Sequence, residues 1–416
     1  VIASLLLTSF LLSVPAQQVV VVEDKGHRFQ LLRNGKPYYI KGAGCSVTNA
    51  ASLTRLKAAG GNSVRTWGAD NIGELLDEAQ KHGITVTVGF WLGHVEHGFK
   101  WDNPKQLDDQ YKSIQETVTR YKNHPAVLMW ALGNEMEMGN NNATLWKEVG
   151  RLARMVKSID KNRPVTTVVA EVDQKKADFI AEHVPDLDLL GVNSYAGLMS
   201  LPGRLRDFKW KKPYIVTEFG PHGPWEVGRT PWGVSIEPTS TEKAKMYVDA
   251  YTNSIAGQKG WCLGSYTFIW GFKQEETATW FGMMLPTGEN LQSVEEMTKF
   301  WSGKYPKNRS PRVEKVGFEA GNEYAVGATI RAKVDASDPD GDPLRFEWKI
   351  LEESTDKKPG GYAQAAPPEV DHVAGKADGP SVTISGIKRA GQYRLAGYIR
   401  DGKGNAATVN LPFLVK

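Results

Sequence analysis

Two glutamates close apolar runs in this chain, Glu135 in Ala131-Leu-Gly-Asn-Glu135 and Glu218 in Ile215-Val-Thr-Glu-Phe-Gly220. They are far apart in sequence, so only the fold can bring them together. A facing pair of carboxyl groups can cleave a glycosidic bond: one protonates the departing oxygen while the other attacks the sugar or activates water. Loop-like stretches hold many of the 13 Trp, Trp91, Trp225 and Trp270 among them, where packing alone does not require an indole. Indole faces stack on the C–H faces of sugar rings. His94 and His97 flank Glu96 in Trp91-Leu-Gly-His-Val-Glu-His97. No third ligand of suitable spacing follows, so a contact with sugar hydroxyls is the reading for His94 and no metal is expected.

The elements that must carry these residues are legible as a repeat. Short β-branched runs at 40–45, 63–67, 85–92, 127–135, 164–170, 187–195, 213–220 and 262–271 alternate with helix-length amphipathic segments. The clearest of these lie at 71–82, 105–122, 144–160 and 241–258, with the last near 291–301. Eight βα units predict an α/β fold, a closed (β/α)8 TIM barrel over residues 39–304, with reacting groups where strands end. Glu135 then ends strand four and Glu218 strand seven, on the same mouth.

Before the barrel, residues 17–38 predict a hairpin turning at Asn34-Gly35-Lys36-Pro37. After it, Pro and charge over residues 305–311 read as a linker, and residues 312–416 predict a small all-β sandwich with strands at 328–334, 344–350, 381–387 and 392–400. Residues 1–16 are apolar and end in small residues, as a signal peptide does, which predicts a secreted or periplasmic protein. No later segment is long and apolar enough to span a membrane. A formal charge of +4 on 416 residues, both signs interspersed, excludes the basic stripe a nucleic-acid binder needs. Cys45 and Cys262 supply no disulfide framework.

Asn134-Glu135 on strand four and Thr217-Glu218 on strand seven resemble the clan A glycoside hydrolases, which include families 2 and 5; the likeness covers most of residues 39–301. The resemblance implies that Glu135 is the acid/base, that Asn134 binds the sugar 2-hydroxyl, and that Glu218 is the nucleophile of a retaining reaction. It further implies that Arg65 holds the nucleophile, that Tyr195 lies beside it, and that Trp270 floors the cleavage subsite; Trp91 and His94, at the end of strand three and in the loop after it, are further candidate substrate contacts by their own chemistry. Met136 stands where family 5 usually has Pro, and the expected barrel begins almost at once, where a family 2 barrel usually follows a sugar-binding sandwich and an immunoglobulin-like domain. The expected activity is double-displacement hydrolysis of a β-linked glycan, first of all a β-glucan, without a cofactor. A transglycosylase using the same carboxyls and a catalytically silent glycan-binding barrel are the alternatives. Residues 335–343, Asp335-Ala-Ser-Asp-Pro-Asp-Gly-Asp-Pro343, resemble the turns of PKD-type and cadherin-like immunoglobulin-fold modules. This Asp cluster offers hard oxygen ligands for Ca²⁺ but lacks EF-hand spacing, so a solvated turn is the competing reading.

Overall fold

A computed structural model describes residues 18–45, 50–358, 362–370 and 377–416. The expected signal peptide lies outside the described residues. Eight parallel strands close a barrel: Ile40–Gly44, Ser63–Arg65, Thr85–Phe90, Val127–Leu132, Val165–Ala170, Leu189–Asn193, Tyr214–Glu218 and Cys262–Thr267, the eighth pairing with the first. The helices between them are amphipathic for a plain reason. In Ile72–Lys81 the buried residues are Ile72, Leu75, Leu76 and Ala79, one stripe at helical spacing facing the strands. Side-chain caps fix several starts, Asn103 and Asn142 accepting backbone N–H groups of the helices they precede, and Thr239 with Glu242 forming a capping box.

The long helix expected over 241–258 is α-helical only over Ser240–Ala250; it widens into a π turn at Tyr251–Ile255 and tightens at Ala256–Gln258. The expected hairpin is a three-stranded sheet, Val19–Glu23, Phe29–Arg33 and Lys36–Pro37. Val19 and Leu31 pack with Leu128, Leu189, Ile215 and Leu263, all near strand starts, so this sheet closes the bottom of the barrel and leaves the opposite mouth for chemistry. Cys45 and Cys262 are both buried, and no disulfide joins them.

The C-terminal part is two four-stranded sheets. Alternation in Ile330–Ser337, where Ile330, Ala332 and Val334 are buried, turns one face inward, and residues of both sheets share one core with Tyr393, Leu395 and Phe413. Strands Arg312–Phe318 and Ala406–Val415 extend the set expected from sequence. The seam with the barrel is tightly bonded. Glu295 of the last barrel helix accepts Arg309 Nη2 at 3.0 Å and Ser310 N at 2.6 Å, and pairs with Arg312, so residues expected as a linker are held in place. Asn410 donates to Thr279 at 2.8 Å, and Thr408 N to Ser240 at 2.9 Å. Glu237 pairs with Lys243 and takes the hydroxyls of Thr277 and Thr279, while Arg394 grips Glu353 through Nε and Nη2 at 3.0 and 2.9 Å.

Candidate active site

The fourth strand releases its last residues through an unusual backbone path. Gly133 has φ 81°, and a Cβ there would meet the Met136 sulfur at 2.3 Å, so the close approach requires glycine. Glu135 itself has φ 54°, a left-handed conformation rare for a non-glycine residue, fixed by its N–H to Val168 O at 3.0 Å. On the other side of the mouth, the pairing of strands six and seven shifts register after Val216, which sets Glu218 opposite Asn193. Strand irregularities of this kind re-aim side chains at sites.

Glu218 is 4% exposed and receives three donors. Arg65 Nη1 lies 3.0 Å from Oε1, Trp67 Nε1 2.7 Å from Oε1, and the Tyr195 hydroxyl 3.0 Å from Oε2. Arg65, fully buried, also donates to the Thr217 carbonyl, Asn193 Oδ1 and Asn134 Oδ1. Asn193 Nδ2 then reaches Glu135 Oε1 at 2.7 Å and Asn134 Oδ1 at 3.0 Å. A single bonded network therefore links the two carboxyl groups.

Their surroundings differ. Burial first, then the Glu218 charge, pushes the Glu135 carboxyl up to about 8 despite the Asn193 hydrogen bond, with Glu137 adding to the rise and Arg65 opposing it. Part of Glu135 stays open to solvent. Burial and the charges of Glu218, Glu135 and Glu275 raise the Tyr195 phenol well above its ordinary value, so it remains a donor. One cation thus serves two carboxyls, and the cheapest way to relieve the imbalance is a proton on Glu135.

Other expected residues fall into two groups. His94 is buried, faces the Asn134 backbone and stacks on Trp91, so both adjoin the site. Trp270 does not join it: its ring turns toward the helices, 6.0 Å from Trp301, with Nε1 donating to Ser52 O. Phe268, two residues earlier, instead contacts Trp67 and Tyr195, because strand alternation points it to the mouth and the chain has left the strand by Trp270. Asn193 and Trp67 are bonding partners that the sequence reading did not single out for the carboxyl pair. An Asn ending the apolar run Leu189–Asn193 was the available signal for the first. Asp338, Asp340 and Asp342 gather oxygens within 4.8 Å of one another, but Lys403 already pairs with Asp342 and Arg309 N bonds Asp340.

A closed eight-stranded barrel with glutamates ending strands four and seven around a buried arginine defines the class of clan A glycoside hydrolase barrels. The sequence profile of "Glycosyl hydrolases family 2, TIM barrel domain" matches residues 47–258, half of the chain, and the chain belongs to that family. It is similar to a β-glucuronidase of Paenibacillus borealis, 28% identical over 48% of this chain and 37% of that protein. A β-glucuronidase of Streptococcus agalactiae is 26% identical over 65% of this chain and 51% of its own length. The chain therefore spans about half or less of the relatives it matches. Among solved structures, Bacteroides uniformis β-glucuronidase 2 covalently bound to cyclophellitol-6-carboxylate aziridine superposes with a TM-score of 0.54 at 13% identity, covering 96% of this chain and 48% of that one, a likeness of fold.

Proposed function

We propose that the protein is a retaining β-glycoside hydrolase in which Glu218 is the nucleophile and Glu135 the acid/base. The observation that carries this is the bonded pair of unequal carboxyls: Glu218 held by three donors, and Glu135 pushed up to about 8 by burial and its neighbour. In the first step Glu135 protonates the glycosidic oxygen as Glu218 attacks the anomeric carbon, breaking the C–O bond and forming a glycosyl ester. That ester removes the Glu218 charge, so the Glu135 pKa falls and it takes a proton from the water that attacks the same carbon and releases Glu218. Arg65 and Asn193 occupy Asn134 Oδ1, which leaves its amide N–H₂ for the sugar 2-hydroxyl.

The relatives' names make a β-glucuronide the first substrate to test. One observation favours a neutral β-glucan as the second: Lys273, 5.1 Å from the Phe268 ring centre, is already paired with Glu275. A uronate would have to compete for that ammonium, whereas a neutral sugar would not. We also read the protein as exported, and its two-sheet part as an immunoglobulin-like module. Aryl β-glucuronides, β-glucosides and β-galactosides, alongside β-1,3-glucan, test the reading, with product anomers followed by NMR. Turnover with retained configuration supports it; initial inversion refutes it. Products carrying extra sugars would indicate transglycosylation, and binding without turnover a silent glycan-binding barrel.

A further inference from the structure

Trp91 follows the third barrel strand and is 39% exposed. Its ring lies nearly parallel to those of His94 and His97, at 4.6 and 6.2 Å between centres and 16° and 12° between planes. Tyr362, 42% exposed, stands against His97 at 5.0 Å and 78°, so the stacked rings have an upright wall. That wall comes from the other end of the chain, the loop after strand Arg345–Glu352 of the C-terminal sheets.

The loop is also tied to the barrel. Gln364 Oε1 accepts Glu276 N at 2.7 Å and Lys357 pairs with Glu276, on the segment after barrel strand eight. Within the loop, Asp356 accepts Ala365 N at 2.9 Å, and Gln364 donates to Lys358 O at 2.9 Å. It therefore bridges the segments after strands eight and three. The stack adjoins the carboxyl pair: buried His94 faces the backbone of Asn134, the residue before Glu135, and its Nε2 has no hydrogen-bond partner.

We propose that Trp91, His97 and Tyr362 form a subsite, shared by the barrel and the C-terminal module, for a pyranose ring of a β-linked glycan lying beyond the cleaved bond. The exposed Trp91 at the stack and the upright Tyr362 offer apolar ring surface to the C–H groups of a pyranose, whose hydroxyls stay free for polar contacts. Keeping two large aromatic rings exposed has no folding benefit, which marks them as a binding surface. The proposal deepens the glycosidase reading by requiring a substrate longer than one sugar.

Tyr362→Ala and His97→Ala are compared with wild type on an aryl β-monoglycoside and on two- to five-sugar oligosaccharides of the same sugar, drawn from β-1,3-glucan, β-1,4-glucan and glucuronic-acid-ended glycans. The expected result is a fall in kcat/KM on the oligosaccharides about tenfold larger than on the monoglycoside, carried by KM, with Tyr362→Phe close to wild type. Equal losses on both substrate lengths, or no loss on either, overturn the proposal. Tryptophan fluorescence titrated with the same oligosaccharides reads the subsite without catalysis. If wild type hydrolyses nothing yet binds saturably, and Tyr362→Ala weakens binding about tenfold, the subsite stands and the glycosidase reading falls. Wild type showing neither saturable binding nor length dependence overturns the subsite.

Discussion

Among the buried acids of this molecule, those at the barrel mouth and those at the seam with the sandwich differ in charge balance. At the seam between barrel and sandwich, Glu237 has Lys243, Glu353 has Arg394, and Glu295 has both Arg309 and Arg312. At the barrel mouth, Glu135 and Glu218 share Arg65. Acids that each have at least one cation of their own fix a docking geometry and gain nothing from moving a proton. An unbalanced pair has a proton in play, which is what acid/base chemistry needs. Burial of a carboxyl alone therefore does not mark a site, and the count of cations beside it does.

The largest effect that sharpens this contrast is Glu218→Ala, expected to lose roughly 10⁴-fold or more in kcat. Azide should restore activity through the vacated face and give an inverted product; a retained product would exchange the roles of the two glutamates. Glu135→Ala should lose about 10²- to 10⁴-fold on substrates with poor leaving groups. It should still be glycosylated by dinitrophenyl glycosides, with azide giving a product of retained configuration. At the seam, Lys243→Met leaves Glu237 buried and unpaired, and should cost about 3–5 kcal/mol in urea unfolding with kcat/KM per folded molecule unchanged. A large change in kcat/KM there would break the distinction between the regions.

The pH dependence follows from Glu135. Its carboxyl must be protonated to donate, so kcat/KM should fall as pH rises through about 8. The folded state keeps this proton between the ordinary value near 4.5 and about 8, whereas the unfolded state releases it. Stability from this group therefore declines with rising pH across that window. Glu135→Gln removes the term, and its melting temperature should gain on wild type from pH 5 to pH 8. The smallest effect is Trp67→Phe, which removes one of three donors to Glu218 and should lower kcat/KM about tenfold.

The barrel and its two glutamates were legible because each βα unit announces itself locally, apolar run then amphipathic helix, and strand ends name the mouth residues. Arg65 and Tyr195 were implied by the resemblance to clan A barrels, and both bond Glu218. Trp270 does not join them, since the eighth strand ends at Thr267 and not at the expected residue 271, and strand alternation no longer aims the side chain at position 270. Asn193 was hidden because its value lies in the Glu135, Asn134 and Arg65 atoms around it, none of them near in sequence. The seam and Tyr362 were beyond reach for a related reason. A reading that treats residues 305–311 as a linker cannot see that Arg309, Ser310 and Arg312 converge on Glu295, nor that a loop of the distant sheets meets His97.

The left-handed backbone at Glu135 sets two demands against each other at one position. Glycine would suit the φ of 54° best, and a branched side chain worst, yet only a carboxylic acid can move the proton. Selection for robustness alone would drift this residue toward glycine, giving a sturdier barrel that no longer turns over. A thermal-stability screen of random variants should therefore recover Glu135→Gly among its winners, and only a screen that also demands activity would discard it.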